Sequence, residues 1–174
     1  MSGFRLACEV DPGDGELPLS ERAVQTLVAA ALYEAGASWH EDIEVGVSFV
    51  DAPRIAELNE EHRDVEGPTD VLSFPIDGLV EAIPEGMPRQ LGDVVICIDY
   101  VRRQLAAGTT MVPHGPGQEH GDATLEAAIE RCIVHGVLHL VGFDHERGEV
   151  AAHEMFELEQ QVLDRVRGAR DPQA

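Results

Sequence analysis

The segment from Asp122 to Val141 constrains this fold more than any other. It is apolar nearly all round, with Leu125, Ala127, Ala128, Ile129, Ile133, Val134, Val137, Leu138 and Leu140 leaving little polar face. A helix of that kind has to be central, with other elements packed on every side. Yet it carries two histidines, His135 and His139, four residues apart. At that spacing the rings are offset by about 40° around the axis and about 6 Å along it, so both can reach one ion. Gly142 supplies a residue that can end a helix with positive φ. The returning chain then offers a third imidazole, His145.

Three imidazoles suit zinc or a neighbouring divalent transition metal. Three protein ligands leave a position for water, the mark of a catalytic rather than a structural site. The spacing H-x3-H-x5-H, with glycine eighth in the run, is shared with the metzincin proteases. There the second position holds the glutamate that serves as general base; here it is Gly136. The ligand set is kept and the peptidase base is absent, which argues for metal-assisted hydrolysis of something other than a peptide bond. Zinc lowers the pKa of the water it binds to about 7, so a strong side-chain base is not essential. Cys132 precedes His135 by three residues but lies about 10 Å of helical rise from His139. It is read as a buried small hydrophobe rather than a fourth ligand.

A chain of 174 residues, 44% of them hydrophobic, is long enough for a real core. Residues 1–168 are expected to form one domain and 169–174 a short tail. No apolar run is long enough to span a bilayer and the N-terminus lacks a signal pattern. Cys8, Cys97 and Cys132 are odd in number and widely spaced, which fits reduced thiols in the cytoplasm. Acidic residues outnumber basic ones 33 to 12, and every basic residue is an arginine. The net charge of −21 disfavours broad adhesion to nucleic acid or to an anionic membrane. A polyanionic substrate would have to be held locally, by the metal and a few arginines.

Residues 3–10 read as a first strand. Ser20 is a good N-cap for a helix ending at Gly36. Ile43, Val45, Val47 and Phe49 alternate as in a strand, and Pro53 fits the first turn of a helix to about Glu61 with Ile55 and Leu58 inward. Pro68 to Pro75 reads as an edge strand, and Leu91 to Ile98 as an apolar strand. Asp99 is the expected cap of a helix ending near Gly108. Residues 108–121 form a Gly/Pro-rich loop, in which His114 and His120 are read as loop residues. A last amphipathic helix spans about Glu149 to Val166, with Met155, Leu158, Val162, Leu163 and Val166 facing in. Strands early and helices late predict an α+β fold: a small mixed four-stranded sheet packed on helices around a central buried metal-binding helix.

A second constellation surrounds Arg63. Asn59, His62 and Arg63 are followed by Pro68-Thr69-Asp70-Val71-Leu72-Ser73-Phe74-Pro75. A solvated arginine and a strand cap would account for these residues. Together with His135 to His145 and Leu91-Gly92-Asp93, however, the chain resembles the YbeY family of metal-dependent endoribonucleases. Glu154 to Glu159 is similar to that family's acidic, Met-containing last helix, and His62 stands where the family often has an aromatic residue. The resemblance implies His135, His139 and His145 as zinc ligands and Arg63 as a catalytic or substrate-binding residue. It also implies cleavage of single-stranded RNA in maturation of the small-subunit ribosomal RNA and in ribosome quality control. The implied partners are ribosomal RNA and the small subunit, with a ribosomal protein or an assembly GTPase as candidates. Neither membrane nor DNA is expected.

On chemical grounds Arg63 would stabilise charge on a scissile phosphate. Asp144 either orients an imidazole as a metal ligand's partner, the reading slightly favoured, or caps the turn. Asp70 and Ser73 either line the cleft or make strand-entry hydrogen bonds. The competing functions are a ribosome-assembly factor with a largely structural zinc, favoured by the acidic surface, and a zinc peptidase with an unusual base.

Overall fold

A computed structural model of the protein describes residues 5–37, 42–79, 81–109 and 124–170. In β2 (Asp42–Phe49) the alternating Ile43, Val45, Val47 and Phe49 are buried and the residues between them are not, as period-two patterning requires. The sheet order is β1-β2-β4-β3, with β1 (Arg5–Asp11), β3 (Val71–Pro75) and β4 (Arg89–Ile96). β1, β2 and β4 run parallel, and β3 lies antiparallel on one edge, where its terminal proline is tolerated. The fold is α+β with a mixed four-stranded sheet, as expected.

β4 starts and ends two residues earlier than its apolar run suggests. Its Leu91 is an extra residue, because Glu44 pairs with Gln90 and Val45 with Gly92. This bulge lets Leu91 and Val94, three residues apart, both lie fully buried in the core. Gly92 has φ +117, and a Cβ there would stand 2.0 Å from the Phe74 carbonyl oxygen. The glycine of the Leu91-Gly92-Asp93 run is therefore a backbone requirement.

Helices follow their capping residues. Ser20 caps α1 (Glu21–Glu34) by accepting from the Ala23 N–H. Asp51 caps α2 (Ala52–Arg63) in the same way from Arg54, with Pro53 in the first turn. On α2 the buried positions are Ile55 and Asn59, while the expected Leu58 is only partly buried against a small cluster of Ile55, Leu72 and Cys97. Asp99 does not cap α3 (Ile98–Ala106). Cys97 occupies the N-cap without a side-chain bond, and Asp99 sits in the first turn. The buried Cys97 is fixed there because its N–H donates to the Asp70 carbonyl at 2.9 Å.

Thr124 caps α4 (Leu125–Leu140). The expected start at Asp122, together with residues 110–121, His114 and His120, lies outside the described residues. α5 (Glu149–Arg170) runs four residues past the expected Val166. Its extra turn is tied to α4, since Arg167 donates to Glu130 at 3.2 Å. No helix among the described residues is long and apolar enough to cross a membrane.

α4 is the centre of the fold. Every residue from Ala128 to Leu138 is buried, and the helix touches α1, α3, α5, β3 and β4. It lies close against the sheet at Gly136. A Cβ there would meet Val94 Cγ1 at 2.5 Å and Ser73 Oγ at 3.2 Å. The Ser73 hydroxyl donates to the Gly136 carbonyl at 3.0 Å, so Ser73 joins the edge strand to the central helix.

Gly136→Ala would gain up to about 1 kcal/mol of helix propensity but overpack the contact with Val94, at a cost of about 1–3 kcal/mol. The expected result is a lower denaturation midpoint. The loss in Gly136→Ala/Val94→Ala should be smaller than the sum of the two single losses. Wild-type stability in Gly136→Ala would show that α4 can lift off the sheet without cost.

Candidate metal centre

The site is assembled where α4 stops. The N–H of Gly142 donates to the His139 carbonyl at 3.1 Å and that of Phe143 to the Leu138 carbonyl at 3.0 Å, with Gly142 at φ +100. This pairing closes the last helical turn and sends the chain back across the helix end. Asp144 then caps a short 3-10 turn (His145–Arg147), accepting from the Glu146 N–H at 2.9 Å and from Arg147 Nε at 3.1 Å. Both of its oxygens are engaged within that turn. The structure thus favours capping over the imidazole-orienting role.

The turn delivers His145 to the two helical histidines. His135 Nε2 and His139 Nε2 are 3.0 Å apart, and ligand atoms of all three residues lie within 4.8 Å of one another. Nitrogens about 2.0–2.1 Å from a tetrahedral zinc stand about 3.3–3.4 Å apart, so the donor set suits one ion once the His135–His139 pair opens slightly and the wider separations close by up to about 1.4 Å. Burial, followed by the proximity of His135 and His145, pushes the pKa of His139 down to about 4. The pKa of His145 is lowered mainly by burial, then by His135. Near neutral pH His139 is therefore an unprotonated imidazole, the form that binds metal.

α5 supplies the supporting shell. The fully buried Glu159 carboxylate lies 3.0 Å from His135 Nδ1 through one oxygen and accepts from Arg131 Nη1 through the other. Phe156 stacks on His145, with ring centroids 5.8 Å apart and planes at 22°. Glu159, Arg131 and Phe156 were not among the expected site residues. Two of them left a signal: Glu159 interrupts the inward stripe of α5 between Met155 and Val162, and Arg131 lies one turn before His135 in an otherwise apolar helix.

Arg63 ends α2 with its side chain about half exposed, and its Nη2 lies 3.5 Å from Glu146 Oε1, next to His145. The structure therefore brings Arg63 beside the segment that carries the third histidine. Asn59 is buried and donates to the Gly67 carbonyl at 2.9 Å, pinning the loop after α2. His62 packs edge-on against Phe74 with centroids 5.0 Å apart, as an aromatic residue at this position would. Asp70 accepts from the Val71 N–H at 2.8 Å and from Thr69 Oγ1 at 3.1 Å. It makes the strand-entry bond, and burial raises its pKa. Cys132 is buried in the main core, in keeping with its reading as a hydrophobe.

These features define an α+β protein with a three-histidine site able to hold one metal ion. Residues 11–167 match the family model of endoribonuclease YbeY, and the chain belongs to that family. It is 38% identical over 127 residues to endoribonuclease YbeY of Persephonella marina, covering 73% of this chain and 72% of the relative. It is 34% identical over 158 residues to that of Acinetobacter baumannii, covering 91% and 90%. The solution structure of TM1509 from Thermotoga maritima superposes with a TM-score of 0.56 at 27% identity, over 95% of this chain and 90% of that one.

The depressed histidine pKa values have a consequence for the metal-free protein. Unfolded histidine titrates near about 6.5, whereas folded His139 does so at about 4. Between those values the unfolded state binds more protons, so stability is full above about 6.5 and is lost as pH falls towards 4. Thermal unfolding of the chelator-treated protein should show a falling Tm from pH 7 to pH 5, and His139→Gln should flatten that slope. An unchanged slope in the variant would locate the acid sensitivity elsewhere.

Proposed function

We propose that this chain is a zinc-dependent endoribonuclease specific for single strands, acting in the cytoplasm in maturation of the small-subunit ribosomal RNA and in ribosome quality control. The observation that carries this reading is the meeting of His135, His139 and His145, with Arg63 beside the segment bearing His145. Membership of the endoribonuclease YbeY family supports the same chemistry. His135, His139 and His145 would hold the ion. When bound, it supplies Lewis acidity towards a phosphoryl oxygen and towards water.

The chain's own residues do the rest. His135 and His139 are presented by a helix seated closely on the sheet at Gly136, and His145 by a capped turn backed by Phe156. Among the described residues, Arg63 is paired only with an exposed glutamate. An exposed pair of this kind is worth about 0–1 kcal/mol, so a phosphate can displace Glu146 cheaply. The guanidinium can then make a planar two-pronged contact with the phosphate that gathers charge in the transition state. Ribosomal RNA and the small subunit are the proposed partners, with a ribosomal protein or an assembly GTPase as further candidates.

A second reading, an assembly factor whose zinc is mainly structural, is favoured by the net charge of −21, which makes nonspecific RNA affinity poor. A peptidase is disfavoured, because Gly136 lies against Val94 where no glutamate could be accommodated.

Cleavage of a single-stranded RNA that disappears with a chelator and in His139→Ala separates the enzyme from the scaffold. Persistent cleavage in either case would remove the metal from the mechanism. Arg63→Ala should lower turnover by about 10²-fold or more with metal content and Tm nearly unchanged, and Arg63→Lys should recover only part of the loss. Full activity in metal-loaded Arg63→Ala would take Arg63 out of the reaction.

A further inference from the structure

We infer that Glu159 is the positioning residue of the histidine centre: it holds His135 with its proton on Nδ1 and Nε2 facing the other histidines, while Arg131 fixes which carboxylate oxygen does so. The inference deepens the metal-site reading and rests on it.

A neutral imidazole carries one N–H, and whichever nitrogen keeps the proton is closed to a metal. His135 Nε2 is the atom that faces His139, at 3.0 Å. Its Nδ1 points the other way, to Glu159 Oε2 at 3.0 Å. An ionised carboxylate only accepts, so this contact selects the Nδ1–H tautomer and frees Nε2. Arg131, which only donates, takes Oε1 and prevents the carboxylate from turning. The Arg131 and Glu159 side chains are 8% and 0% exposed, so their polarity is not a surface accident.

Stability does not explain the arrangement. A buried ion pair can often be replaced by apolar residues without loss, because desolvation offsets the attraction. The same two helices offer an internal comparison. Glu130 of α4 pairs with Arg167 of α5 at 3.2 Å, with Glu130 3% exposed, a second polar tie between these helices. Of the contacts described for these two pairs, the one that reaches a histidine of the triad is that of Glu159. Its position at the ring's far nitrogen is where a carboxylate fixes the orientation and tautomer of a metal-binding imidazole.

Competition between the protein and a chromophoric chelator for zinc, in the absence of RNA, tests this directly. In Glu159→Gln the amide has one acceptor, which Arg131 claims, so its NH2 faces His135 and favours the proton on Nε2. Zinc affinity should fall by about 10–100-fold. In Arg131→Met/Glu159→Gln the amide oxygen is released to turn to His135, and most of the loss should be recovered. Glu130→Gln should lower stability and leave zinc affinity at the wild-type value. In the zinc-loaded wild type, nitrogen-15 NMR should find the His135 proton on Nδ1, a measurement that stands even if a variant fails to fold.

Zinc affinity in Glu159→Gln within twofold of wild type, a double variant no better than the single, or zinc bound through His135 Nδ1 would each overturn the inference while leaving the metal site intact. Failure of the wild-type protein itself to bind zinc would overturn the metal-site reading and this inference with it.

Discussion

The contact of α4 with the sheet at Gly136 is the constraint on which the rest depends. With no side chain at that position, the helix lies against Val94 and its backbone carbonyl takes the Ser73 hydroxyl. That seating fixes the height at which α4 ends relative to β3, the edge strand. The loop after α2 leads directly into β3, and Asn59 pins that loop through the Gly67 carbonyl. Arg63 is thereby set by the same strand that the helix is seated on. The candidate metal ligands and the candidate phosphate contact share one reference frame, although more than 70 residues separate them in sequence.

A helix buried on every side has a second consequence. Any polar group it carries must be satisfied from within the protein, since an unpaired buried charge is costly. Glu130, Arg131 and His135 are all buried on α4, and α5 answers each through Arg167 and Glu159. The last helix is therefore more than a cover for an apolar face. Its inward stripe of Met155, Val162 and Val166 packs the core, while Glu159 and Phe156 serve the histidines.

The sequence made the central helix, the β2 alternation and the three histidines legible because each rests on local periodicity or spacing. The turn at Gly142 was legible for the same reason, since positive φ after a helix has a residue signature. Other features depend on partners distant in the chain. Asp144 could not be assigned between ring and turn until its two oxygens were seen engaged by Glu146 and Arg147. Asp99 looked like a cap because aspartate favours that position, but the Asp70 carbonyl had already fixed Cys97 there. The two-residue shift of β4 and its bulge follow from pairing with β2, which no pattern within β4 alone reveals. Glu159 was visible only as an acid in an apolar stripe; its meaning required the facing helix.

The acidic surface bears on how such a site could hold a polyanion at all. The long-range field of a chain at −21 opposes approach, and most of the arginine charge is already answered locally. Arg5, Arg54, Arg102 and Arg165 each lie within 3.1 Å of a carboxylate, and Arg131 and Arg167 are engaged in the helix interface. Arg147 is turned towards Asp144 in the His145 turn. Arg63 differs in the length of its contact, 3.5 Å; both partners are more than half exposed, as they also are in the Arg54–Glu57 and Arg102–Asp99 pairs. Such a pair keeps the guanidinium near the histidines at little energetic cost to release. Attraction for a phosphate would then be strongest where this cation lies beside the three histidines, and the surrounding negative charge would discourage binding elsewhere. A strongly acidic protein can in this way favour a single productive register on RNA over many unproductive ones, which a basic surface would not do.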